Sequence, residues 1–198
     1  MKINHSLPLE YSTHQNQMNI LGFWVFLGAE IMLFATLFSG YFTLVNRTGN
    51  GPTGADIFEI TPILLETMLL LTSSFTIGLA IHAMRLGNKK AMNVYFVLTL
   101  LLGLGFLSLE VYEFIHYVHI GAGLQTSAFT AALLTLLGTH GAHVTFGIFW
   151  GLFIIGQLKS RGLTPEVANK SFIFSLYWHF LDVVWIFIFS FVYLKGMM

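Results

Sequence analysis

The sequence predicts an all-α membrane protein, a bundle of five transmembrane helices. Of its 198 residues, 56% are hydrophobic and only 9% are charged, whereas a soluble domain carries about 25% charged residues. A bilayer-spanning helix needs about 20 mainly apolar residues. Five segments satisfy this requirement: 20–45, 62–85, 92–118, 129–157 and 171–195. We therefore expect a polar N-terminal tail (1–19) and one transmembrane domain (20–198).

The loops between the spans support this division and predict an orientation. They contain Gly and Pro, which interrupt helices, together with basic residues. Cytoplasmic loops carry an excess of Lys and Arg, and one side of the predicted bundle holds seven of the nine: Lys2, Arg85, Lys89, Lys90, Lys159, Arg161 and Lys170. The other side holds Arg47 and Lys195. The sequence therefore predicts a cytoplasmic N-terminus and an extracellular C-terminus.

Composition also excludes some functions. Nine basic and nine acidic residues give a formal net charge of zero, which argues against nucleic acid as a partner. The chain has no cysteine, so disulfides and thiol chemistry are excluded.

Ionisable residues inside the spans are the candidate functional groups. Such groups normally face the interior of a bundle and pair with one another. We expect the following six to meet inside the bundle: Glu30, Glu110, His140, His143, His179 and Asp182. Glu30 lies in the first span between Phe26 and Phe34, and is therefore protonated, paired or part of a proton route.

Helical spacing assigns several of these residues to shared faces. Residues three or four apart lie on one side of a helix, so His140, His143, Gly147 and Gly151 form one stripe. Gly147 and Gly151 are a pair of small residues that lets another helix approach closely.

The last span has a comparable face formed by Trp178, Asp182 and Trp185, with His179 at its edge. We expect Trp178 and Trp185 to contribute to helix packing. Leucine in place of Asp182 is expected to loosen the packing of this span.

Three interpretations of the buried polar residues remain open from the residues alone. They could join helices without doing chemistry. Histidines on different spans, such as His143 and His179, could ligate haem or a metal. A small secondary transporter is the third, although inverted repeats or broken spans at corresponding positions are absent from the sequence. A di-metal site of the desaturase type is disfavoured, because only one H-x-x-H motif, that of His140 and His143, lies wholly within a predicted span.

Several blocks, in order, resemble subunit III of the haem–copper terminal oxidases. They are GFWVFLGAEIMLF, LLLTSSFTIGLAIHAM, SLEVYEF, LLGTHGAHV and LYWHFLDVVWIFIF, and they extend from about residue 21 along nearly the whole chain. The short polar tail is similar to the five-helix bacterial form. The run SRGLT followed by the last block resembles quinol oxidase subunits III of the Gram-positive type, and a cytochrome c oxidase subunit III is the alternative.

The resemblance implies an accessory subunit with no catalytic residue and no haem or metal of its own. Haems and copper are expected in subunit I, which is the main contact, and subunits II and IV are further partners. Structural phospholipids are implied as ligands, and the complex is expected in the bacterial cell membrane. The chain is then expected to stabilise the catalytic subunit and its proton uptake.

The resemblance also implies roles for individual residues. Glu30 matches a buried acid beside bound lipid, and the other five buried polar residues match acids and histidines of the family's blocks. Lipid-binding candidates are Glu30, His143 and Lys159. Mitochondrial-type sequences have an arginine before Q-L-K at the end of the equivalent of the fourth span, where this chain has Gly156. If that arginine holds a lipid phosphate, this chain must use Lys159 instead or lose that contact.

Overall fold

A computed structural model describes residues 7–49 and 51–197, and within these ranges every regular element is helical. Five of the described helices are long and apolar enough to span a membrane. They are α1 (His14–Leu44), α2 (Ile60–Arg85), α3 (Lys89–His119), α4 (Ala128–Arg161) and α5 (Pro165–Ile188), which continues as a π-helix (Phe189–Leu194). The predicted fold class is confirmed. Lys2 and His5 of the expected tail lie outside the described residues.

Capping residues account for where the helices begin. Thr13 accepts a hydrogen bond from the Asn16 backbone N–H (3.1 Å) at the start of α1. Ser127 forms a capping box at the start of α4. Thr164 caps α5, whose first residue is Pro165. These side chains satisfy N–H groups that have no partner within the helix.

A tight turn joins α2 to α3 and makes them an antiparallel pair. Gly87 has a φ of +70°, and its N–H donates to the Met84 carbonyl (3.0 Å) while the Asn88 N–H donates to the Ala83 carbonyl (2.9 Å). This pattern is a Schellman motif, which favours glycine at the left-handed position. Because Asn88 also caps α3, one turn both ends α2 and starts α3.

The last helix occupies the centre of the bundle. It packs against α1, α2 and α4, and α3 packs between α2 and α4. Trp178 and Trp185 are almost completely buried, so the core is densest around α5. Helix α1 packs on α4 and α5 and buries the smallest share of its apolar residues. One broad side of α1 therefore faces outward.

Part of the expected polar tail is packed into the bundle. A short 3-10 turn (Leu9–Tyr11) precedes α1, and the Glu10 side chain is completely buried. Its carboxylate pairs with the Arg85 guanidinium at 2.9 Å, and the Asn169 side-chain amide donates to the Glu10 carbonyl at 3.0 Å. Residues 9–11 are therefore fixed to α2 and α5 at the end of the bundle that is predicted to be cytoplasmic.

Candidate functional site

Glu30 of α1 and His143 of α4 form a direct contact between helices. The Nε2 atom of His143 lies 3.0 Å from Oε2 of Glu30, and its Nδ1 lies 2.7 Å from the Thr139 carbonyl oxygen. The Glu30 side chain is 13% exposed and the His143 side chain is 20% exposed. The Phe34 ring, one turn after Glu30, packs on the imidazole at 5.2 Å between centroids. The pair therefore lies near the surface of the isolated chain, in the middle part of a predicted membrane span.

The hydrogen bonds of His143 determine the charge of this pair. A carbonyl oxygen only accepts, so Nδ1 must carry a proton and donate to Thr139. The contact between Nε2 and Glu30 then contains one proton, whether it resides on the imidazole or on the carboxyl group. In both cases the pair is neutral overall, which suits a position in the membrane.

His179 has its partner on α2 rather than on its own helix. Its Nδ1 lies 2.7 Å from the Ser74 hydroxyl, while its side chain is otherwise exposed on the bundle surface. Asp182 is 9% exposed and its Oδ1 has no hydrogen-bond partner in the described chain. Ser74 also lies beside Asp182, so one hydroxyl serves both residues of the WHFLD block.

The two tryptophans of α5 bind hydroxyl groups on α2. The Trp178 indole N–H donates to Ser73 Oγ at 2.9 Å, and the Trp185 indole N–H donates to Thr67 Oγ1 at 3.1 Å. A buried indole normally needs such a partner. These two bonds fix the register between α2 and α5 along more than one helical turn.

The small residues of α3 and α4 accommodate aromatic rings. An alanine Cβ at Gly103 would lie 2.7 Å from the Trp178 ring, and one at Gly147 would lie 3.0 Å from it. A Cβ at Gly151 would lie 2.6 Å from Leu100 and 3.1 Å from Phe174. The glycines therefore form a slot for the side chains of neighbouring helices, chiefly the indole of Trp178.

The six predicted polar residues do not share one hydrogen-bonded network. Glu30 and His143 form one pair, and His179 bonds with Ser74. Glu110 is 2% exposed and His140 is fully buried, yet none of their side-chain oxygen or nitrogen atoms has a partner in the described chain. Among the described residues, hydrogen bonds therefore connect only two of the six, Glu30 and His143, to each other.

Several partner residues were missed by the sequence analysis. In the sequence, the hydroxyl residues Thr67, Ser73 and Ser74 are visible only as polar positions within the apolar second span, and this does not identify their partners. Glu66, fully buried on α2 with both carboxyl oxygens unpartnered, is an ionisable residue within a span. The rule that selected Glu30 would have found it.

A long apolar furrow runs between α1 and α5. Its larger part, about 810 Å³, is lined by Phe34, Phe38 and Phe42 and by residues of α5 up to Phe191. A second cavity of about 310 Å³ shares Ile31 with it and extends to Trp24 and His179. From residue 24 to residue 42 a helix rises about 27 Å, close to the hydrocarbon thickness of about 30 Å. We call this the α1–α5 furrow.

The lipid-binding candidates fall at two depths. Lys159 is exposed in the last turn of α4. It is 16 residues from His143 on the same helix, a rise of about 24 Å. If the bundle has the predicted orientation, Lys159 is level with the lipid headgroups. Glu30 and His143 are then level with the acyl chains.

The histidine arrangement gives little support to ligation. Among the described residues, no group of three or more His, Cys, Asp or Glu side chains is arranged to hold a metal ion. Both ring nitrogens of His143 already have partners within the chain, and one nitrogen of His179 is bonded to Ser74. A bis-histidine site formed by His143 and His179 would have to break one of the two contacts of His143, with Glu30 or with Thr139.

Comparison with known proteins gives a consistent result over nearly the whole chain. Residues 10–197 match the family described as "Cytochrome c oxidase subunit III". "Quinol oxidase subunit 3" of Bacillus subtilis (strain 168) is 56% identical over 194 residues, covering 98% of this chain and 95% of the relative. "Cytochrome c oxidase subunit 3" of Bacillus sp. (strain PS3) is 48% identical, covering 96% and 92%. "Probable quinol oxidase subunit 3" of Staphylococcus saprophyticus is 47% identical, covering 96% and 94%.

Proposed function

This chain belongs to the cytochrome c oxidase subunit III family, and we propose that it is the accessory subunit III of a proton-pumping quinol oxidase. In this proposal the complex transfers electrons from quinol to oxygen, and the haems and copper lie in subunit I. The chain itself stabilises that catalytic subunit and holds no redox centre. The observation that carries the proposal is the 56% identity to a protein named quinol oxidase subunit 3 over 98% of this chain.

The internal hydrogen bonds support a structural role for the predicted site residues. Trp178, Trp185 and His179 each connect α5 to a hydroxyl on α2. The Glu30–His143 pair connects α1 to α4. Each of these contacts joins two helices, which supports a packing role for these residues.

The α1–α5 furrow supports the proposed binding of structural phospholipid. Its walls are mainly Phe, Val and Ile side chains, which suit acyl chains, and its length is close to the thickness of the hydrocarbon core. The neutral Glu30–His143 pair lies behind Phe34 in the furrow wall. Lipid in the furrow would cover apolar surface that the isolated chain exposes. Subunit I is the proposed neighbour on that side of α1.

Removal of this subunit from the purified oxidase tests the proposal. We expect the remaining complex to keep its haem and copper content and its initial rate of quinol oxidation, and to lose activity sooner over repeated turnovers. Loss of haem or copper in proportion to the removed chain would contradict the proposal. Comparing quinol with reduced cytochrome c as the electron donor decides between the quinol oxidase and the alternative, a cytochrome c oxidase.

Glu30 gives a residue-level test of the same role. Glu30→Ala is expected to leave the initial rate near normal while activity decays sooner, because the bond to His143 and the furrow wall are disturbed. Glu166→Ala, an exposed carboxyl in the first turn of α5, is the matched control and should behave as wild type. Complete loss of the initial rate in Glu30→Ala would instead assign Glu30 to the chemistry.

A further inference from the structure

A group of buried acids lies near one end of the bundle and is not part of the Glu30–His143 pair or of the α1–α5 furrow. We call the end where α1 and α3 finish and α2 and α4 begin the distal end; the Lys and Arg distribution predicts that it is extracellular. Glu66 of α2 and Glu110 and Glu113 of α3 are 0%, 2% and 6% exposed. Glu110 and Glu113 are three residues apart and share one face of α3, and α2, which carries Glu66, packs along α3. These three residues are the distal carboxyl cluster.

Glu113 is the member that is built to carry a negative charge. Its Oε1 accepts a hydrogen bond from the Tyr117 hydroxyl at 2.6 Å, and its Oε2 accepts one from the Tyr193 hydroxyl at 2.8 Å. Tyr193 lies in the π-helix that follows α5. Two hydroxyl donors on one carboxyl group stabilise its charged form.

Glu66 and Glu110 are in the opposite situation. Neither oxygen of either carboxyl group has a partner in the described chain, and the same holds for both nitrogens of His140 on α4. A buried carboxylate without a cation or donors is strongly disfavoured. Each of these two acids therefore requires a proton, a water molecule or both.

The surroundings of Glu110 form a shaped recess for its carboxyl group. An alanine Cβ at Gly141 would lie 2.6 Å from Oε2 of Glu110 and 2.9 Å from Oε1. The carboxyl group thus fills the space left by a glycine on α4, next to His140 in the chain. This close fit indicates that the packing of α4 accommodates the carboxyl group of Glu110 specifically.

A small cavity lies beside one member of the cluster, Glu113, and is lined by the exposed Glu59 on another side. It has a volume of about 70 Å³ and is lined by Glu59, Pro62, Glu113, His116 and Tyr117, among others. A water molecule needs about 10–15 Å³ of such volume, so several fit. Glu59 is exposed and His116 is half-buried, which places titratable groups along the cavity between solvent and Glu113.

We propose that the distal carboxyl cluster is a site for exchangeable protons, in contact with the aqueous phase at the distal end. Glu66 and Glu110 hold protons, and Glu113 is the carboxylate that exchanges with solvent. In the exchange step a hydronium ion in the cavity transfers a proton to the Glu113 carboxylate, giving a carboxylic acid and water, and the reverse step releases it.

The ligand class follows from the groups that face the cluster. They are Glu59 and Glu66 from α2 and the segment before it, His116 and Tyr117 from α3, His140 from α4, and Tyr193 after α5. Within the described residues these groups do not form a metal site, and Lys and Arg do not occur among them. Burial without a cation or donors favours the protonated form of a carboxyl group, so the proton is the ligand that suits Glu66 and Glu110. The inference does not depend on the proposed role in a quinol oxidase.

Infrared spectroscopy of the purified complex tests this proposal. In wild type we expect a carboxylic-acid C=O band that shifts when H₂O is replaced by D₂O. Glu66→Gln and Glu110→Gln should each remove one component of this band, while Glu113→Gln should remove the component that appears as the pH is lowered. Glu166→Gln, an exposed acid at the opposite end, should leave the band unchanged.

The exchange rate is a second measurement, in which Pro62→Trp is compared with wild type and the band intensity shows whether the variant cluster is intact. Pro62→Trp, at the mouth of the cavity, should slow the shift in D₂O by several-fold while leaving the band intensity the same. The proposal is overturned if the wild-type complex shows no exchangeable carboxylic-acid band, if the band persists in both Glu66→Gln and Glu110→Gln, or if it appears only after a metal chelator is added. None of these results bears on the electron donor or the haem content of the oxidase.

Discussion

The Glu30–His143 pair permits a prediction that tests whether a hydrogen bond between these side chains holds α1 to α4. Because Nδ1 donates to the Thr139 carbonyl, the bond between Nε2 and Glu30 contains one proton. Glutamine in place of Glu30 can donate its amide N–H to a neutral Nε2 and so keep the bond. Leucine has no donor and leaves Nε2 without a partner.

The expected magnitudes follow from this difference. Losing one partner of a largely buried hydrogen bond typically costs about 1–3 kcal/mol, and side-chain bonds between membrane helices average about 0.6 kcal/mol with a maximum near 1.7 kcal/mol. We expect Glu30→Leu to destabilise the attachment of α1 by about 1–2 kcal/mol. Glu30→Gln should cost less than about 0.5 kcal/mol, since the amide replaces the donor.

A double-mutant cycle measures the interaction directly. Glu30→Leu, His143→Leu and the double variant are compared in the purified complex by titrating with denaturing detergent and measuring release of this subunit. The coupling free energy should be about 0.6–1.7 kcal/mol. A coupling of zero, or an equal loss for Glu30→Gln and Glu30→Leu, would refute the assignment of a hydrogen bond that holds α1 to α4.

The remaining predictions concern packing, an interhelical bond and a loop. Gly147→Ala should destabilise the subunit by about 1–3 kcal/mol, because the new methyl group would contact the indole ring of Trp178. Gly156→Ala is the control, since no atom of a neighbouring element lies within 4 Å of the added methyl group. Thermal release of the subunit from the complex measures both variants. Ser74→Ala should remove the partner of His179 and cost about 0.6 kcal/mol, measured in the same assay; no change would show that this bond is unimportant. Hydrogen bonds from Thr53 hold the pKa of the Asp56 carboxyl group below its ordinary value. The short helix Gly54–Ile57 before α2 should therefore be ordered at neutral pH. It should lose this support as the pH falls through that lowered pKa. Hydrogen exchange should show the loss in wild type and its absence in Asp56→Asn.

The fold was predictable because the constraint that produces it is local. Each span is a run of apolar residues bounded by capping residues, and both features are visible in the sequence. The helix ends differ from the predicted spans where polar residues continue a helix: α1 begins at His14, inside the expected tail. The buried position of Glu10 could not be predicted, because it depends on Arg85 and Asn169, which are distant in the chain.

The candidate site was only partly predictable, because helical periodicity assigns faces but not partners. The faces containing His140, Trp178 and Trp185 are buried as spacing suggested. Which hydroxyl meets which indole depends on the vertical register between α2 and α5, and nothing in either helix alone specifies that register. The unpaired carboxyl groups of Glu66 and Glu110 likewise become visible only when α2, α3 and α4 are placed together.

The central claim is that this chain supports a redox enzyme without holding a redox centre. The most direct test is to separate the subunit from the intact oxidase under mild conditions and to measure iron, copper and the reduced-minus-oxidised spectrum of each fraction. We predict that iron, copper and the haem bands stay entirely with the remaining subunits, which still oxidise quinol. Iron or copper in a one-to-one ratio with the separated chain would contradict the account.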